Sequence, residues 1–145
     1  MTFQVFVGYG DGQAKRVAEG FGHYLQRFGL NSFVASTDPT WMLPGYTINR
    51  IYQTLAKSDV LVATCTRNTP LTSNLGREIR FARANKMLIL PFLEKGITDP
   101  FGLSNSLWKM EFDPAIPWVQ HRTFATYILE LVEKGLEARL QGHVI

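Results

Sequence analysis

FQVFVGYGDGQAKRVAEGFGHYLQRFG, Phe3 to Gly29, changes its hydrophobic period at the glycines. Phe3 to Val7 is a short apolar run that predicts a strand. It ends at GYGDG, whose glycines and aspartate make a loop. Beyond the loop, Ala14, Val17, Ala18, Phe21, Leu25 and Phe28 recur at helical spacing, while Lys15, Arg16, Glu19 and Arg27 take the other side. Gly29 is a natural stop for that helix. The chain therefore opens with a strand, a glycine loop and an amphipathic helix.

The same alternation continues outward from this unit. Asn31 to Ala35 predicts a second strand, and STDPTWMLPGYT, rich in turn formers, follows it with Trp41, Met42, Leu43 and Tyr46. Large apolar groups in such a loop fold back onto the domain or meet a partner. A helix from about Tyr46 to Ala56 presents Ile48, Ile51, Tyr52 and Leu55 on one side. Asp59 to Cys65 is continuously apolar at VLVA, as expected of a strand covered by helices on both faces. MLILPFL, Met87 to Leu93, is another such strand, and Pro91, which lacks a backbone donor, belongs near its end or at an edge. Glu94 to Val119 permits a short strand and small helices without placing them. A last helix runs from about Arg122 to near Gln141. Helices alternating with short buried strands specify an α/β sandwich around a parallel sheet.

Such a sheet binds ligands beyond the carboxyl ends of its strands, where loops and helix amino termini converge. The loops after Val7 and Ala35 and the loop from Thr66 to Asn74 all emerge there. TSNLGREIRFA, Thr72 to Ala82, introduces the next helix, with Ser73 as its N-cap and Leu75, Ile79 and Ala82 as its buried stripe. Glu78 falls on the shoulder of that stripe beside Phe81. It is either an ordinary boundary residue or a carboxylate pointed into a cleft.

The whole chain sets outer bounds. With 145 residues, 46% of them apolar, it suits one domain with a sizeable core, residues 1–145, and no linker or low-complexity run divides it. A net charge of +3 mildly favours anionic ligands. The basic cluster Arg67, Arg77, Arg80, Arg83 and Lys86 lacks interleaved aromatics, so nucleic acid is not expected as a partner. One cysteine, Cys65, excludes an intrachain disulfide, and His23, His121 and His143 form no metal-ligand pattern, so no metal is implied. No apolar run approaches the roughly 18 residues of a membrane span, and the amino terminus opens on a strand signal in place of a leader. A cytoplasmic protein with no membrane contact is the expectation.

The order of elements resembles a Toll/interleukin-1 receptor (TIR) domain, particularly the free-standing prokaryotic kind. FVGYG resembles the first strand and loop of that family. WMLPGYTINRIYQTLAKSDVLVATCT resembles its flexible Pro-Gly loop, the next helix and the next strand. TSNLGREI and KMLILPFL resemble its active-site helix and the strand after it. The resemblance covers Phe3 through Leu93 and the final helix. It departs at Asn74-Leu75, where many eukaryotic members have Trp-Cys. It implies a flavodoxin-like three-layer sandwich with a central parallel sheet.

The resemblance also implies chemistry. Catalytic TIR domains cleave NAD between nicotinamide and ribose with a glutamate at the position of Glu78, so NAD is the expected substrate and no cofactor is needed. The ribosyl cation is captured by water, giving ADP-ribose, or by the substrate's own adenine end, giving a cyclic product. Tyr9, Gly10, Asp11, Trp41 and Ser73 are the expected substrate contacts. Self-association through TIR contacts is expected, as is a nucleotide signal to a downstream effector protein in prokaryotic antiviral defence. Two other classes stay open: a noncatalytic TIR adaptor, and a nucleoside deoxyribosyltransferase, whose related scaffold also sets a glutamate near a ribose. Cys65, at the end of an apolar strand, reads as a buried thiol.

Overall fold

The computed structural model describes residues 3–37, 48–70, 73–97, 101–102 and 110–140, with the side chains of 37, 48, 49 and 135–140 left out. The expected contact Trp41 and the Pro44-Gly45 pair of its loop lie outside these residues. In chain order the elements are β1 (Gln4–Tyr9), α1 (Gly12–Phe28), β2 (Asn31–Phe33), a 3-10 turn (Ala35–Thr37), α2 (Ile48–Ala56), β3 (Val60–Cys65), α3 (Asn74–Ala84), β4 (Leu88–Glu94), β5 (Met110–Phe112), a 3-10 turn (Pro117–Gln120) and α4 (His121–Leu140).

Five parallel strands form one sheet in the order β2-β1-β3-β4-β5. Side chains alternate across it with a period of two. Val5, Val7, Val60, Val62, Leu90 and Phe92 face α1 and α4, where Phe21, Leu25, Phe124 and Ile128 complete one core. Phe6, Leu61, Ala63, Cys65 and Leu93 face α2 and α3, where Leu55, Leu75, Ile79 and Ala82 complete the other. The result is a three-layer α/β sandwich, as the alternating pattern predicts. Its first core is aromatic at the centre: the Phe92 ring lies 5.3 Å from Phe21, 5.0 Å from Phe124 and 4.9 Å from Phe112.

Local chemistry sets the ends of α1. Asp11 is its N-cap, and Gly29, at φ 102°, is its left-handed C-cap. Leu30 N–H reaches back to Leu25 C=O at 2.9 Å, closing the helix with a Schellman-type bond. The second strand is shorter than expected, because the chain turns at Ala35 into the 3-10 segment. Cys65 is fully buried, with Sγ 3.9 Å from Ala63 O.

Pro91 falls in the middle of β4, not at its end. It pairs in register with Ala63 of β3, whereas β5 pairs only with Phe92–Glu94. At Pro91, then, β4 is locally an edge on its β5 side among the described residues, which is where a residue without an N–H is tolerated. The weakly patterned stretch after Glu94 contributes β5 and the 3-10 turn before α4.

Candidate functional site

Strand order reverses between β1 and β3: α1 leaves β1 onto one face of the sheet, and α3 leaves β3 onto the other. In a 2-1-3-4-5 sheet this switch point opens a crevice beyond the strand ends. A cleft of about 380 Å³ lies there. It is lined by the end of β1 and the loop after it, by Ala35 and Ile51, and by Pro70, Ser73, Asn74 and Glu78.

Glu78 is not on a helix shoulder open to solvent. It is 8% exposed and belongs to the buried face of α3 with Leu75, Ile79 and Ala82. Gly8 makes the room. The alternation of β1 turns position 8 toward α3, and a Cβ there would stand 2.7 Å from Glu78 Oε1 and 2.9 Å from Leu75 Cδ1. Glu78 Oε1 is buried with no hydrogen-bond partner. Burial without a compensating partner pushes its pKa up to about 8. A buried polar atom of this kind calls for an explanation.

The other expected contacts gather at the same cleft in different ways. Tyr9 is half-buried at the end of β1 and lines it. Burial raises the pKa of its phenol, a hydrogen bond to Ser36 opposes that rise, and the nearby charges of Glu78 and Glu19 add to it. Ser36 Oγ in turn donates to Glu19 Oε1 at 2.9 Å. Gly10 lines the cleft, with its bare Cα against Thr69 Cγ2. Any side chain there would displace the Thr66–Pro70 loop.

Asp11 also lines the cleft, but its carboxylate is engaged inside the protein. Oδ1 accepts from Ala14 N–H at 2.8 Å; Oδ2 accepts from Thr66 Oγ1 at 2.5 Å and Thr69 Oγ1 at 2.7 Å. Burial alone would raise its pKa; the bonds from Thr66, Ala14 N–H, Thr69 and Gln13 N–H outweigh burial and hold it below the ordinary carboxylate range. Asp11 thus ties the loop after β3 to the loop after β1. The far side of the same loop is held by Arg67 Nε, 2.5 Å from the buried Glu94 Oε2.

Ser73 occupies the N-cap position of α3 with extended backbone, yet its side chain makes no cap bond, contrary to expectation. Its Oγ is buried and has no partner. Trp41 lies outside the described residues. Arg77, Arg80 and Arg83 are exposed, Arg83 Nη2 donating to Phe101 O at 3.2 Å. Among the described residues no three His, Cys, Asp or Glu side chains come together as metal ligands. No helix among them is long and apolar enough to cross a membrane. Sequence reasoning passed over Gly8 as a site residue. Its signal was present in the alternation of β1, which puts Phe6 and position 8 on the α3 side.

No family model matches the sequence, and no curated protein matches it. Among solved structures, the chain is similar to the RpiR transcription factor from Sphaerobacter thermophilus (sugar isomerase domain). The likeness covers 92% of this chain and 79% of that one, with a TM-score of 0.52 and 16% identity. The TIR domains of the activated Roq1 resistosome, which directly recognizes the pathogen effector XopQ, are matched over 97% of this chain and 76% of that one, with a TM-score of 0.49 and 14% identity. These likenesses concern the fold. It is a five-stranded parallel sheet flanked by helices, with the 2-1-3-4-5 strand order of flavodoxin-like folds.

Proposed function

We propose that the cleft cleaves the bond between nicotinamide and ribose in NAD, as a glycohydrolase or ADP-ribosyl cyclase. The observation that carries this reading is the buried Glu78, its Oε1 without a hydrogen-bond partner, on a cleft at the β1/β3 switch point. Nicotinamide leaves a glycosidic carbon as a neutral base, taking the bonding electron pair onto its ring nitrogen, so no strong acid is required. The reaction needs a fixed negative group beside the ribosyl cation that forms. Glu78 accepts hydrogen bonds from the ribose hydroxyls and stabilises that cation. Water then adds at the anomeric carbon and loses a proton, giving ADP-ribose; attack by the adenine end gives a cyclic product. Burial pushes the Glu78 carboxyl up to about 8, which favours its protonated form at neutral pH. A bound pyridinium cation favours the ionised form, so substrate binding itself charges the site.

The resemblance of the chain to prokaryotic TIR domains extends this reading to antiviral defence signalling, with self-association and a nucleotide product read by a downstream protein. The test is incubation of concentrated protein, wild type and Glu78→Gln, with NAD, resolving nicotinamide, ADP-ribose and cyclic isomers. Nicotinamide release by the wild type and its loss by orders of magnitude in a folded Glu78→Gln protein is the expected result. Equal turnover by both removes Glu78 from the chemistry. Base exchange on nucleosides with NAD left intact would select a deoxyribosyltransferase, and specific binding to TIR partners without any turnover would select an adaptor.

A further inference from the structure

Two helix amino termini meet at this cleft, and they differ in what fills them. A helix amino terminus attracts anions, through its unpaired N–H groups and its dipole. At α1 the place is taken: the Asp11 carboxylate accepts from Ala14 N–H at 2.8 Å and is held there by Thr66 and Thr69. A second anion would meet that charge. At α3 the Ser73 side chain makes no cap bond, although Ser73 stands in the cap position with φ −66° and ψ 162°. Its Oγ is shielded from solvent without a partner, in a residue that lines the cleft.

The second observation is Glu78 itself, 8% exposed, with Oε1 unpartnered, on the wall of the same cleft. Four residues separate it from Asn74, the first residue of α3, a rise of about 6 Å along the axis. Helical side chains lean toward the amino terminus of their helix, which for Glu78 is the direction of Ser73. Two unmet polar groups, one at a helix start and one a turn further on, suit a furanose 5-phosphate, which carries its charge at one end and its ring hydroxyls at the other.

We infer that Ser73 Oγ and the first turn of α3 form a phosphate subsite, so that a ribose 5-phosphate group lies with its phosphate at α3 and its ring hydroxyls at Glu78. The inference rests on the NAD reading above and fixes the orientation of the nicotinamide half. It assigns the phosphate to α3 and excludes it from the amino terminus of α1.

The test measures binding of nicotinamide mononucleotide, nicotinamide riboside and ribose 5-phosphate by calorimetry, in a Glu78→Gln background that blocks turnover. In that background Ser73→Ala and Ser73→Asp are compared with the parent. The mononucleotide should bind about tenfold or more tighter than the riboside, and Ser73→Ala should remove most of that advantage while leaving the riboside within about twofold. Ser73→Asp puts a good cap and a negative charge in the subsite. It should keep or raise Tm while abolishing the preference for the mononucleotide, a combination that a purely structural serine does not give. Equal affinity for mononucleotide and riboside, or a preference that survives Ser73→Asp, overturns the subsite and leaves the NAD reading standing. Binding of ribose 5-phosphate alone, lost in Ser73→Asp, upholds the subsite and overturns the NAD reading. Binding of none of the three overturns both.

Discussion

Glu78→Gln should stabilise the folded chain at neutral and alkaline pH and change little near pH 4. The folded carboxyl titrates at about 8 and an ordinary glutamate at 4.5. Below the lower value both folded and unfolded chains carry the proton, and the side chain costs little to bury. Between the two values the unfolded chain has lost the proton that the folded chain keeps, so folding takes up a proton and stability falls as pH rises. The loss is complete once pH passes about 8. At about 1.4 kcal/mol per pH unit, that interval corresponds to about 5 kcal/mol. Relaxation and water entry reduce the cost of a buried ion, and Glu78 borders an open cleft. An advantage for glutamine of roughly 2–4 kcal/mol at pH 8 is therefore expected, a large share of the stability of a domain this size. Urea unfolding of both proteins near pH 4, 6 and 8, with matched m-values, measures the difference directly. A difference that stays flat with pH, or a glutamine variant that is the less stable at pH 8, would show that the carboxylate is well partnered or well hydrated in the folded chain. Glu78 would then not be the buried, unpartnered group on which the proposed chemistry depends.

The same titration should appear in catalysis: kcat/KM for nicotinamide release should rise with pH to a midpoint near 8, while kcat should show a lower midpoint because the bound cation favours the carboxylate. Initial rates across pH 6 to 9 decide it, and a flat profile counts against Glu78 as the charged group. Gly8→Ala sets a methyl 2.7 Å from Glu78 Oε1. It should cost about 1–3 kcal/mol in urea unfolding and lower NAD cleavage about a hundredfold; wild-type kinetics in that variant would contradict the packing described. Asp11→Ala removes the α1 cap and the acceptor of Thr66 and Thr69, for an expected loss of about 2–4 kcal/mol at neutral pH. Because the folded pKa of Asp11 is lowered, that contribution is present above the ordinary carboxylate range and disappears as pH falls through the folded value, which parallel acid titrations of both proteins would reveal. Gly29→Ala, at φ 102°, should lower stability by about 1 kcal/mol, measurable as a shift in urea midpoint.

Much of this architecture was legible in the linear chain, because the features that specify it are local. Helical spacing in Ala14 to Phe28, the stop at Gly29 and the apolar runs VLVA and MLILPFL each depend on neighbours a few residues apart, and together they dictate the layers and the parallel sheet. The position of Glu78 beside the stripe Leu75, Ile79 and Ala82 was visible for the same reason. Periodicity says which way a side chain leaves its helix; it does not say what stands opposite. Only the folded chain brings Gly8 under Glu78, joins Asp11 to Thr66 and Thr69 across 55 and 58 residues, leaves Ser73 without the bond its cap position suggests, and makes β4 an edge where Pro91 falls. Burial and hydrogen-bond partnership are properties of residues that meet in space after crossing the sheet. The local pattern therefore placed the carboxylate on the helix, and tertiary packing decided that it would be buried against β1, with Oε1 unpartnered, on the lining of a cleft.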